Sequence, residues 1–91
     1  MHAADSADDT ALVVDVDLSI LGREPSDFER YEKAVREEYK WVPGPLFRRK
    51  RIAILQSFLD RPVIYGTDYF RELYETQARV NLEWAIDCLR M

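Results

Sequence analysis

The sequence predicts an all-α fold, a small bundle of about four helices, and three observations predict it. Apolar residues recur at the 3.6-residue spacing of helices in four stretches. Proline and glycine fall between those stretches rather than inside them. No run alternates apolar and polar residues long enough to make a strand. At 91 residues, with 47% hydrophobic and 33% charged residues and only 3 Gly and 4 Pro, the chain has the composition of one globular domain.

Residues 1 to 7, MHAADSA, are small and polar without a period and read as a frayed start to the single domain 1–91. Asp8 or Asp9 then offers a cap for a first helix running to Leu21, with Gly22 as a left-handed stop. Pro25-Ser26-Asp27-Phe28-Glu29 announces the second helix, Ser26 and Glu29 having the spacing of a capping box. Along it Phe28, Tyr31, Val35, Tyr39 and Val42 form an apolar stripe. Glu29/Lys33 and Glu32/Arg36 are spaced as exposed ion pairs. Pro43-Gly44-Pro45 breaks the chain before a third helix from about Leu46 to Leu59, which Arg61-Pro62 ends. Val63-Ile64-Tyr65 is an extended connector, and Thr67 caps a last helix of about 22 residues.

Polar residues inside apolar arcs are the informative ones. In the first helix the apolar side chains cover about 240° of the circumference. Asp17 lies in the middle of that arc, which predicts that it faces the interior. Asp15, about 200° away, falls beside Ser19 in the polar gap and is expected to face water. A carboxylate in an apolar setting needs a cation, a metal or hydrogen-bond donors. Arg51, inside the apolar arc of the third helix, is one candidate partner, and metal ligation is the other reading. The last helix is also apolar over roughly 240°, more than three short helices can cover. Gln77 and Asn81, one turn apart near the centre of that arc, are placed to bond each other or a neighbouring backbone. Cys88 on the same arc reads as core packing.

Composition narrows the function classes. A single cysteine cannot form an internal disulfide, and no apolar run reaches the ~20 residues of a membrane span, so a soluble cytoplasmic protein with no membrane partner is expected. The net charge of -4 argues against nucleic acid as a partner. The basic run Arg48-Arg49-Lys50-Arg51 does not alter that, because consecutive helical residues point in four directions. Asp5, Asp8, Asp9, Asp15 and Asp17 are the charged residues of the first seventeen, so this acidic start and the basic run suggest complementarity within the chain. His2 is the only histidine, which leaves no Ser-His-Asp or Cys-His arrangement in the body of the chain. Phosphate-cradling glycine loops and CxxC or HxxxH metal spacings are absent as well.

The stretch DVDLSILG at Asp15 to Gly22 is the most specific feature. With REEY at Arg36 to Tyr39, FLDRPVIY at Phe58 to Tyr65 and ARVNL at Ala78 to Leu82, it resembles the C-terminal half of the predicted metal-dependent HD-superfamily phosphohydrolases. The resemblance covers nearly the whole chain in order. It implies a helical domain holding one or two divalent metals through a histidine, a His-Asp pair and a later aspartate. The later aspartate maps onto Asp17, and a histidine about a dozen residues before it maps onto His2. The other ligands, an upstream histidine and a His-Asp pair, have no counterpart in this sequence. A hydrolytic metal site generally needs three protein ligands and an open position.

The expectation is therefore a portion of a phosphohydrolase for phosphate esters, with nucleotides as one candidate class in the complete protein, that lacks the metal-binding front half. It should be inactive alone and hold no tightly bound metal. The alternative is a non-catalytic helical self-association or interaction module. In either case the excess apolar width of the last helix implies a homo-oligomer, most simply a two-fold dimer through Leu73, Val80 and Trp84.

Overall fold

The computed structural model describes residues 13–91. Helical residues 13–18 (α1) run into a 3-10 turn at Ser19–Gly22. The helices Pro25–Glu38 (α2), Gly44–Leu59 (α3) and Asp68–Arg90 (α4) follow. The fold is all-α, with no strand among the described residues. The frayed start, the caps assigned to Asp8 or Asp9, and His2 lie outside the described residues.

The long helix α4 is the spine, and the other elements are laid along it. Phe28, Leu55, Tyr65, Ala78 and Leu82 are fully enclosed, with Leu21, Ile64, Ala85 and Ile86 around them. Phe28 of α2 meets Trp84 of α4 edge to face at 6.4 Å between ring centroids. At the beginning of α4, Phe70 stacks on both Tyr65 and Tyr74, and Tyr65 lies tilted against Tyr74.

Helix boundaries follow local chemistry that differs in places from the expected pattern. Helix α2 begins at Pro25 with Glu24 as N-cap and no side-chain cap, so the Ser26/Glu29 capping box does not form. Proline already suits the first helical position, and that puts Ser26 inside the helix rather than at its cap. Helix α3 begins at Gly44, two residues before Leu46, because Pro45 in a first turn has no N–H to lose. Thr67 caps α4 as expected, its hydroxyl accepting from the Phe70 amide at 3.4 Å.

Gly22 is not a left-handed stop, since no described residue has positive φ. Its missing side chain serves the approach of α4 instead. A Cβ there would lie 2.7 Å from the Tyr74 carbonyl oxygen and closer still to the Tyr74 Cβ.

The ion pairs are partly rearranged. Glu29 and Lys33 pair at 3.5 Å, but Glu32 turns away from Arg36 and takes Arg51 of α3 in a shielded two-pronged contact. Arg51 thus points inward, as its place in the apolar arc implies, yet its partner is Glu32 and not Asp17. Arg48, Arg49 and Lys50 are exposed and make no ion pair among the described residues, so complementarity between the acidic start and the basic run is not seen there. Arg36, released from Glu32, donates to the Tyr39 and Val42 carbonyls at 3.3 and 3.2 Å and lies over the Phe47 ring. Cys88 is exposed rather than in the core, because it lines an open groove between α4 and the helices α2 and α3.

Candidate functional site

The conspicuous chemistry lies where α1 meets the start of α4. The beginning of any helix presents amide N–H groups without helical partners and a partial positive charge. Thr67 satisfies one such amide with its own side chain. Asp15 satisfies the approach to the helix from outside it. Its carboxylate accepts from the Gly66 amide at 2.7 Å, the Thr67 amide at 2.8 Å and the Thr67 hydroxyl at 2.6 Å. Asp15 is 1% exposed. Burial pushes its carboxyl up, but the Thr67 hydroxyl, the Gly66 and Thr67 amides and the Arg71 charge outweigh it and hold the group below its ordinary value. Asp15 is therefore an ionised latch.

Two further contacts fix the same junction. The Tyr65 hydroxyl donates to the Leu18 carbonyl at 2.9 Å, and burial, with Glu75 and Asp15 nearby, keeps that phenol protonated. The Asn81 amide donates to the Leu21 and Arg23 carbonyls at 2.9 and 2.8 Å, closing the end of the 3-10 turn, while Gln77 donates to Asn81 at 2.9 Å. Both options read for this amide pair are used at once. The connector before α4 is held from the other side. Glu75 accepts from the Ile64 and Tyr65 amides, and Arg79 bridges Glu75 to the carbonyls of Leu59, Arg61 and Pro62.

These contacts overturn the expected orientation of α1. Asp15, expected to face water, is buried, and Asp17, expected to face the interior, is exposed. Val13 and Val16 are 58% and 53% exposed on the side of α1 that Asp17 shares. An apolar arc of 240° has no well-defined centre, so its midpoint does not say which side meets the protein. The hydrogen-bonding demand of the α4 N-terminus decides the rotation. The Gly66-Thr67 signal ahead of α4 was visible in the sequence; the need for a further acceptor there, the Asp15 carboxylate, was its unread consequence.

Family models, curated proteins and solved structures give no match to the chain.

A divalent metal, which the HD-type resemblance implies, is not accommodated by the described residues alone. No three His, Cys, Asp or Glu side chains converge among them. Asp17 has no companion ligand there, and His2 lies outside the described residues. What the site offers chemically is one solvent-facing carboxylate on a helix face lined with valine and held rigidly from behind. Among the described residues, no helix is long and apolar enough to cross a membrane.

Proposed function

We propose that this chain is the C-terminal portion of a metal-dependent HD-type phosphohydrolase acting on phosphate esters, and that it presents Asp17 to a second polypeptide segment carrying the remaining metal ligands. One observation carries the reading: Asp17 stands among exposed valines on the outer face of α1, while Asp15 fastens the opposite face. Three exposed valines on a short helix, Val13, Val14 and Val16, are what an uncovered contact leaves behind. A carboxylate framed by apolar side chains is strongly ligating once the frame is closed and water is excluded. The DVDLSILG stretch supports assigning that role to Asp17.

The chain alone is expected to hydrolyse neither p-nitrophenyl phosphate nor nucleotides with Mn²⁺ present, and to lose Mn²⁺ on desalting, because each absent ligand removes coordination energy and preorganisation. Joining it to a segment that carries a histidine and a His-Asp pair, such as an in-frame continuation upstream of Met1 encoding them, should produce hydrolysis that Asp17→Ala abolishes. Hydrolysis or stoichiometric metal retention by the 91 residues alone would contradict the proposal.

A second reading, a self-association module, is favoured by a different feature. Leu73, Val80 and Trp84 are all exposed along one edge of α4, together with Tyr69. A two-fold pairing of such a stripe is the simplest way for a small domain to cover it. Sedimentation at tens of micromolar should then show a dimer that Leu73→Glu dissociates; a strict monomer rejects this reading.

A further inference from the structure

At the far side of α3 from α4, the end of α2 and the first half of α3 enclose an apolar groove of about 530 Å³. Val35, Trp41, Val42, Leu46, Phe47 and Ile54 are its principal walls. Trp41, 76% exposed, stands at the mouth. The turn that carries Trp41 is pinned, since Arg36 holds the carbonyls of Tyr39 and Val42 on either side of it and the Val42 amide donates to the Tyr39 carbonyl at 2.9 Å. A large aromatic presented outward on a pinned turn lowers the backbone entropy cost of binding and is typical of an anchor residue.

Charge points to the kind of occupant. Helix α3 carries Arg48, Arg49, Lys50 and Arg51 and no acidic side chain, in a chain whose net charge is -4. Glu32 neutralises Arg51, which leaves Arg48, Arg49 and Lys50 exposed, Lys50 on the groove wall itself. Glu38 is the acidic residue exposed at the adjoining end of α2, since Glu37 is occupied by Lys40. The groove therefore combines an apolar floor with one positive wall.

We propose that this groove docks an amphipathic helix of a partner protein, apolar side chains spaced i, i+3, i+4, i+7 entering beside Trp41 and an acidic flank lying along Arg49 and Lys50. The inference is independent of the phosphohydrolase reading, because the groove shares no residue with the α1 face. The probe is a helix-stabilised, fluorescein-labelled peptide with leucines at that spacing and glutamates on its flank, compared with the same peptide carrying lysines. Fluorescence anisotropy should show saturable micromolar binding of the glutamate peptide and binding of the lysine peptide weaker by about tenfold or more. Trp41→Ala should weaken the glutamate peptide at least about tenfold, and Lys50→Glu about fivefold at low salt. Both residues are exposed, so each variant should unfold at the parent midpoint, which thermal unfolding by circular dichroism checks. Equal binding of the two peptides, no saturation with either, or an unchanged affinity in Trp41→Ala overturns the proposal. So does a chain that self-associates through Trp41 while binding neither peptide, which assigns the groove to a second copy.

Discussion

Asp15→Ala is expected to destabilise the fold by about 3 kcal/mol. It leaves the Gly66 and Thr67 amides and the Thr67 hydroxyl without their acceptor, and an unsatisfied buried donor costs about 1 to 3 kcal/mol. Favourable placement of a carboxylate at a helix N-terminus is lost as well. Gly66 is itself exposed, so water restores part of the deficit and the sum stays below the full total of the three contacts. Urea unfolding of the variant measures the loss through its midpoint. Acid should act in the same direction. Because the folded-state value of Asp15 lies below the ordinary carboxyl value of 3.8, its contribution is complete above that value and disappears as the pH falls through the lower value in the fold. In Asp15→Ala this part of the acid sensitivity should vanish.

Gly22→Ala should cost about 3 kcal/mol, at the upper end for overpacking. The added methyl group meets the Tyr74 carbonyl at 2.7 Å and the Tyr74 Cα at 3.0 Å. Backbone atoms inside a helix cannot rotate away as a side chain does, so the 3-10 turn that carries Gly22 has to lift from α4. Lifting strains the Asp15 and Asn81 hydrogen bonds on either side of the contact. Thermal unfolding should therefore show a lower midpoint, and an unchanged one would mean that the two helices are not so closely apposed.

The four-helix plan, the Thr67 cap and the Gln77–Asn81 pair were legible because each depends on neighbours in sequence: helical periodicity, an oxygen three residues before an amide, two amides one turn apart. The exposed edge of α4 was legible too, since 240° of apolar surface exceeds what short helices cover. The facing of α1 was not. That helix is apolar nearly all round, and its rotation is set by amides fifty residues away, at Gly66 and Thr67. Arg51 was correctly turned inward but given the wrong partner, because its arc says nothing about Glu32, nineteen positions earlier on another helix. Gly22 looked like a turn residue by composition, whereas the reason for it is the backbone of Tyr74.

The unfolding free energies of Asp15→Ala and Asp17→Ala, measured side by side in urea, test most directly whether α1 is latched through Asp15 with Asp17 presented outward. Asp15→Ala should lose about 3 kcal/mol. Asp17→Ala should stay within about 0.5 kcal/mol of the parent, as substitution of an exposed side chain does when it has no partner among the described residues. A large loss at Asp17 with a small one at Asp15 would mean that Asp17 faces the interior, and would contradict both the latch and the presented carboxylate.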